Sequence, residues 1–255
     1  MLGVQHLKMK IIADTNIWYY LGKDNSLFEK MKSEPICPTF VNIYELSKSD
    51  NILNHEELSR SAIQRLFAFK ENVIYEPPFI YIAKLHNDLE FNPLKEIEGW
   101  LKFTEKFAKG HTIEPSKREG FKKEIDRIRQ DLNSGADFFN EEAKKIRERI
   151  SNKKEHKKKD THQITGGFIN FIVEATTEKK YNLDGFDLNQ IELLIRTLDH
   201  FFKTLETSTM KIKDNDWFDF SILAYVQPGD KYWTNDTKWL NLIKGAGCEQ
   251  YLYEK

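Results

Sequence analysis

The stretch that decides the fold lies near the start of the chain, where residues 10–16 read KIIADTN and residues 17–21 read IWYYL. A short apolar run closed by polar residues is typical of a buried strand, and Thr15 or Asn16 can cap a helix that follows it. Asp14 is then expected at the carboxyl end of a strand, just before a helix begins. In open α/β sheets this edge is where ligands bind. The alternative interpretation is that Asp14 only ends the strand and starts a turn.

The order of predicted elements indicates an α/β fold. Strands are predicted at 9–13, 35–39 and 73–75, and a helical pattern follows each of them. This alternation is the pattern of a parallel sheet. It returns late in the chain, where a short strand is predicted at 232–234 and a last edge strand at 249–253.

The middle of the chain is expected to be a charged, mainly helical insertion. Most of the length between about residues 90 and 185 has no convincing strand pattern, and apolar residues at helical spacing predict helices over 117–132 and 138–150. The apolar run 168–173 is compatible with either a buried helix or a strand. We therefore assign 8–90 and 187–255 to an α/β core and 91–186 to the insertion.

Composition limits the classes of protein to which the chain can belong. With 40% hydrophobic and 13% aromatic residues, the chain of 255 residues can bury a sizeable core. Its formal net charge of -1 gives no evidence of a polyanionic partner from overall charge. The two cysteines form neither a disulfide framework nor a zinc pattern, and no apolar run is long enough to span a membrane. We expect a cytoplasmic protein without membrane contact.

Further acidic residues occupy positions comparable to that of Asp14. Asp236 also follows a short apolar strand and precedes a helix, while Glu45 and Asp219 lie in helices that would pack beside those strands. If the strands are parallel neighbours, their carboxyl ends lie at one edge of the sheet, where the four acids would converge. Converging carboxylates repel one another unless cations neutralise them, and hard oxygen ligands of this kind select Mg²⁺ or Mn²⁺.

Two acids also have a purely structural interpretation. Glu45 could lie on the solvated face of its helix, in which case its charge needs no partner. Asp216 precedes Asp219 by one helical turn and shares its helix face. It is therefore either a further metal ligand or only the cap of that helix.

In their order along the chain, the acidic segments resemble the motifs of PIN-domain nucleases. They read IIADTN around Asp14, VNIYEL around Glu45, DFSILAY from Asp219 onwards and WTND up to Asp236. The resemblance implies a PIN-like three-layer α/β/α sandwich with a central parallel sheet. It also implies a Mg²⁺- or Mn²⁺-dependent ribonuclease that hydrolyses RNA phosphodiester bonds with these four acids.

The resemblance covers about residues 9–90 and 187–255 and leaves the middle of the chain unassigned. It gives Asn16 and Thr234 supporting polar roles beside the first and last acids. It implies RNA as the partner. Whether single-stranded DNA is also a substrate, and whether an inhibitory protein such as an antitoxin blocks the site, stay open. The number of metal ions, the RNA target and the oligomeric state stay open.

A dense basic run lies in the predicted insertion, between residues 144 and 159. One interpretation is that it contacts phosphates beside the active edge, so that binding weakens with salt. The alternative is a solvated helix face, as charge runs usually are. The basic residues of the run are Lys144, Lys145, Arg147, Arg149, Lys153, Lys154, Lys157, Lys158 and Lys159.

Two other classes of function are compatible with the sequence. A non-catalytic RNA-binding or protein-interaction module could use a PIN-like scaffold, although such a module has no reason to keep four acids together. A Mg²⁺-dependent phosphatase could use Asp14 as its nucleophile, but it would need a second aspartate where Asn16 stands. The resemblance to PIN-domain nucleases favours a metal-dependent endoribonuclease, which is our prediction.

Overall fold

A computed structural model describes residues 9–87, 95–151, 161–177 and 181–254 of the chain. The described part combines many helices with a small parallel sheet, which confirms a mixed α/β fold. The strands are β1 (Ile11–Ala13), β2 (Ile36–Cys37) and β3 (Lys231–Trp233). The helices are α1 (Thr15–Lys23), α2 (Asn25–Met31), α3 (Phe40–Lys48), α4 (Asn51–Asn54), α5 (Glu56–Phe67), α6 (Pro78–Asn87), α7 (Lys95–Ala108), α8 (Pro115–Ser151), α9 (Thr161–Thr177), α10 (Glu192–Thr207), α11 (Asp216–Leu223) and α12 (Thr237–Gly245).

The sheet is centred on the first strand of the chain. Its order is β2-β1-β3, and both neighbours run parallel to β1. Single parallel bridges extend it on both sides, from Thr39 to Ile74 and from Tyr232 to Leu252. The strands predicted at 73–75 and 249–253 are therefore reduced to one bridge each. A 3-10 turn directly precedes each bridging segment, and Pro77 and Pro78, which cannot donate to a ladder, follow the first.

Each face of the sheet is covered by a hydrophobic core, because successive strand residues point to opposite faces. The core on one face is completed mainly by α6 and α9–α12, the core on the other by α1–α5 and α7, and α8 contributes to both. The strand residues in the first core are Ile12, Cys37 and Tyr232. Those in the second core are Ile11, Ala13, Ile36 and Trp233.

The described residues of the predicted insertion form the helices α7, α8 and α9, with turns and loops at 109–114 and 181–186. Its helices do not stand apart from the α/β segments, since Phe107 and Ile125 pack into the second core and Ala136, Ala143 and Ile169 into the first. The middle of the chain therefore helps to cover both faces of the sheet. The assignment of 91–186 as a separate unit stays a prediction.

One continuous helix, α8, replaces the two helices predicted at 117–132 and 138–150. It runs for 37 residues without a break. Gly135, in the supposed gap, allows a close approach, because a Cβ there would lie 3.3 Å from the ring of Trp217. The Trp217 indole N–H also donates to the carbonyl of Leu132 at 2.9 Å. Neither α8 nor any other helix within the described ranges is both long and apolar enough to cross a membrane.

Candidate metal centre

Asp14 stands at the carboxyl end of the central strand and begins the next helix. Its backbone N–H donates to the carbonyl of Trp233 at 2.8 Å, where the pairing of β1 with β3 ends. Its Oδ1 accepts a hydrogen bond of 3.2 Å from the backbone N–H of Asn16, so Asp14 is the N-cap of α1. The prediction that Thr15 or Asn16 caps this helix was wrong, because the helix begins immediately after the strand.

Thr234 connects the ends of the two neighbouring parallel strands. Its Oγ1 donates to Oδ2 of Asp14 at 2.7 Å and accepts from the backbone N–H of Asp236 at 3.0 Å. Asp236 in turn caps α12, since its Oδ1 accepts from the backbone N–H of Lys238 at 2.7 Å. Parallel pairing thus places Asp14 and Asp236 at one edge of the sheet, as their positions after the strands predicted.

Glu45 reaches this edge because α3 is fastened to the junction of β1 and α1. Thr39 and Asn42 form a capping box at the start of α3. The Asn42 amide donates to the carbonyl of Ala13 at 3.0 Å and to Thr15 Oγ1 at 3.2 Å. Glu45 follows Asn42 by one helical turn, so it lies on the same face of α3, and Thr15 also hydrogen-bonds its carboxyl group.

Asp219 is oriented by a buried tryptophan. The Trp239 indole N–H donates to Oδ2 of Asp219 at 2.6 Å, and Trp239 itself is fully buried. This contact joins the first turn of α11 to the first turn of α12. The sequence did not reveal it, because the two residues belong to different helices.

Asp216 is not the N-cap of α11, and its carboxylate has two hydrogen-bond partners. The N-cap position of α11 belongs to Asn215, which makes no side-chain capping bond. The buried carboxylate of Asp216 accepts the backbone N–H of Lys213 at 2.7 Å and the ammonium of Lys238 at 2.5 Å. Lys238 therefore offsets the charge of Asp216, a pairing that sequence reasoning missed.

Three of the predicted acids influence one another electrostatically. Burial raises the pKa of Asp14, and the charge of Asp236 raises it further. Burial, together with the charge of Asp14, raises the pKa of Glu45 to about 8. Burial also holds the pKa of Asp219 well above its usual value, with the charges of Asp14 and Glu45 as the next causes. These shifts mean that the four acids form one electrostatic unit.

The donor chemistry of this unit fits a hard divalent cation, but its present arrangement does not form a ready cage. All four side chains are carboxylates, and their mutual repulsion is the kind that a cation relieves. Within the described ranges, however, no group of three or more His, Cys, Asp and Glu side chains is arranged to hold a metal ion. The oxygens of Asp14, Asp219 and Asp236 instead accept the hydrogen bonds given above.

A cleft of about 250 Å³ opens beside this group, and Asn16 and Glu45 line it. Asn16 is exposed, and its backbone N–H is the group that Asp14 caps. The opposite wall comes from α8, where Arg129 pairs with Asp50 at 2.5 Å. The cleft therefore exposes one edge of the acidic group to a ligand.

The described residues of the predicted basic run lie far from this cleft along α8. Arg147 follows Arg129 by about five turns, or roughly 27 Å along the helix axis. Arg147 donates to the carbonyl of Leu205, Lys145 pairs with Glu142 at 2.7 Å, and Lys144 and Arg149 are exposed. Lys153, Lys154, Lys157, Lys158 and Lys159 lie outside the described residues. Phosphate binding by this run stays a prediction.

A comparison of the chain with models of known protein families, with curated proteins and with solved structures found no match. The function is therefore inferred from the residues of the site alone.

Proposed function

We propose that the chain is a PIN-like, Mg²⁺- or Mn²⁺-dependent endoribonuclease. The observation that carries the proposal is that burial, and after it the charges of neighbouring acids, raise the pKa values of Asp14, Glu45 and Asp219. Keeping such acids together costs stability unless they bind a positively charged ligand. A divalent cation supplies that charge and matches their oxygen ligands.

The topology supports the PIN-like part of the proposal. The acids follow parallel strands of one sheet or lie on helices packed against its carboxyl edge. Bridges at Ile74 and Leu252 continue the sheet on both sides, and cores cover both faces. This arrangement agrees with the three-layer sandwich that the acidic motifs imply.

In this proposal, Asp14, Glu45, Asp219 and Asp236 would hold the cation through their carboxylate oxygens. Thr234 and Trp239 orient two of these carboxylates, and Asp216 balances Lys238 instead of binding metal. A bound Mg²⁺ or Mn²⁺ supplies Lewis-acid activation of water and stabilises the leaving oxygen during phosphodiester hydrolysis. The cleft beside Asn16 and Glu45 accepts the RNA backbone.

The test is cleavage of a labelled RNA of mixed sequence in Mn²⁺, with EDTA as the metal-free control. Wild-type protein is compared with Asp14→Asn and with Asp24→Asn, which alters an exposed N-cap aspartate of α2. We expect cleavage by the wild type and Asp24→Asn, and none by Asp14→Asn or in EDTA. Equal cleavage by Asp14→Asn would overturn the proposal.

A second candidate is a non-catalytic RNA-binding module on the same scaffold. It is favoured by the lack, in the described part of the chain, of three acidic side chains already arranged around a metal position. Such a module would bind RNA in EDTA and would cleave it in neither Mg²⁺ nor Mn²⁺. The same RNA and the same variants distinguish the two functions.

A further inference from the structure

A second depression, which we call the aromatic groove, lies between α3, α7 and α8. It has a volume of about 640 Å³, and the side chains used below are Tyr44, Lys48, Trp100, Phe103, Phe121 and Arg127. Ligand pockets in proteins typically measure about 300–1,000 Å³. The groove is therefore large enough for a planar ligand.

The aromatic side chains of the groove brace one another. Trp100 meets Phe103 and Phe121 edge to face, with ring centroids 5.8 Å and 5.5 Å apart. Phe103 and Phe121 are 5.3 Å apart. These contacts hold the three rings in place. Because all three are only partly buried, part of each ring lines the groove. Rigid rings of this kind are suited to stack against a nucleobase.

Two cations accompany the rings. The Lys48 ammonium lies 4.1 Å from the centroid of Trp100 and 4.3 Å from that of Tyr44, and its side chain is only 6% exposed. Arg127 lies at the rim with a side chain that is 61% exposed. Glu124 pairs with both, at 3.6 Å and 3.0 Å, and Asp131 pairs with Arg127 at 3.1 Å, so a phosphate at Arg127 would compete with these carboxylates. Aromatic rings beside cations complement a base and its phosphate.

The aromatic groove adjoins the cleft of the acidic group. Lys48 lines both, and Glu45 lines the cleft from the same helix. Tyr44 and Lys48 share one face of α3, since they are four residues apart. Tyr44 also contacts Phe218, another residue of the cleft, with ring centroids 6.1 Å apart. A single-stranded RNA that enters the cleft can therefore extend into the aromatic groove.

We infer that the aromatic groove binds a nucleotide of single-stranded RNA, with its base among Trp100, Phe103 and Phe121 and its phosphate at Arg127. This inference rests on the proposed function, because the neighbouring acidic group is what identifies RNA as the occupant. It gives the helical middle segment a role in holding the substrate. Duplex RNA is excluded, since its stacked bases cannot enter the groove.

The experiment measures binding of a fluorescein-labelled single-stranded RNA to the full chain by anisotropy, in EDTA, so that it does not depend on cleavage. We expect Trp100→Leu to weaken binding by about ten-fold, as loss of one stacked base does. Phe138→Leu is the matched control, because Phe138 lies on α8 outside the groove and is 62% exposed. Its affinity is expected to equal that of the wild type, and duplex RNA is expected not to bind.

A second variant keeps the inference testable if Trp100→Leu does not fold. Arg127→Gln changes an exposed side chain, and it should lower the magnitude of the slope of log affinity against log salt by about 0.7. No binding of single-stranded RNA by the wild type, equal binding of duplex, or wild-type affinity in folded Trp100→Leu would overturn the inference. If Trp100→Leu loses RNA binding while the wild type cleaves no RNA in Mn²⁺, the proposed nuclease activity would be refuted. The inference that the aromatic groove binds RNA would stand.

Discussion

Thr234 Oγ1 donates a 2.7 Å hydrogen bond to Oδ2 of Asp14 across 220 positions of sequence. The same oxygen accepts the backbone N–H of Asp236. One buried hydroxyl therefore fixes the relative positions of the two acids that end neighbouring parallel strands. The acidic group depends on this contact for its geometry.

Replacing this hydroxyl should destabilise the fold. Thr234→Val leaves an oxygen of Asp14 and the N–H of Asp236 without their partner, at a cost of about 1–3 kcal/mol. Thr234→Ser keeps the hydroxyl and should cost less. Urea unfolding of both variants checks this, and equal losses of unfolding free energy would show that the hydroxyl does not matter.

The metal-free protein should lose stability as pH rises. The pKa of Glu45 is about 8 in the fold against 4.5 as its ordinary value, so between these values the folded chain holds a proton that the unfolded chain has released. The stability that protonated Glu45 contributes to the fold is therefore fully present below about pH 4.5, and it is lost as the pH rises to about 8. Its slope approaches about 1.4 kcal/mol per pH unit.

Denaturant unfolding in EDTA across this range measures the effect. Glu45→Gln should show a shallower fall than the wild type, because it lacks the titrating group. Raised pKa values of Asp14 and Asp219 act in the same direction and leave a residual slope. A wild-type stability that rises with pH across this range would contradict the raised pKa values of these acids.

Without metal, Asp14→Asn should leave the melting temperature unchanged or raise it. Asparagine caps a helix as well as aspartate does. Its amide N–H can donate to Thr234 Oγ1 where the Asp14 oxygen accepted, and the substitution removes a buried charge that repels Asp236. Relief of about 1 kcal/mol corresponds to roughly 2–4 °C in a chain of this size. Asp24→Asn, in which the exposed cap of α2 is changed, controls for the cap alone. A drop of many degrees confined to Asp14→Asn would mean that Asp14 is structural.

Asp216 and Asp219 should differ in their effect on metal binding. Asp216→Asn leaves Lys238 without its carboxylate partner and should cost about 1–3 kcal/mol of stability. Its Mn²⁺ affinity should stay within about two-fold of the wild type, since one charged contact to metal would be worth much more. Asp219→Asn should lose Mn²⁺ binding. Equal loss in both variants would make Asp216 a ligand as well.

The positions of Asp14 and Asp236 were predictable from sequence because each follows its own strand directly, and parallel pairing brings such ends together. The cap of α1 was assigned wrongly because only one residue, Asp14, separates the end of β1 from the start of α1. The strand at 73–75 was overestimated because a 3-10 turn and two prolines leave room for a single bridge at Ile74.

Contacts between distant elements could not be predicted in this way. The pairing of Asp216 with Lys238 and the bond from Trp239 to Asp219 each join two separate helices. Trp100 is one apolar residue among many in a helical pattern, and its place opposite Lys48 depends on how α7 packs against α3. Periodicity indicates which face of a helix is buried, but not its partner.

The most direct test of the acidic group as a metal centre is a titration of the protein with Mn²⁺ at about pH 8, where about half of the Glu45 side chains are ionised. Bound Mn²⁺ should raise the melting temperature. At a free Mn²⁺ concentration 100 times the dissociation constant, the gain in the free energy of unfolding is about 2.7 kcal/mol. Calorimetry in buffers of different ionisation enthalpy should show proton release on binding. We predict both effects for the wild type and Asp24→Asn, and neither for Asp14→Asn. The same stabilisation in Asp14→Asn, or none in the wild type at millimolar Mn²⁺, would contradict a metal site at these carboxylates.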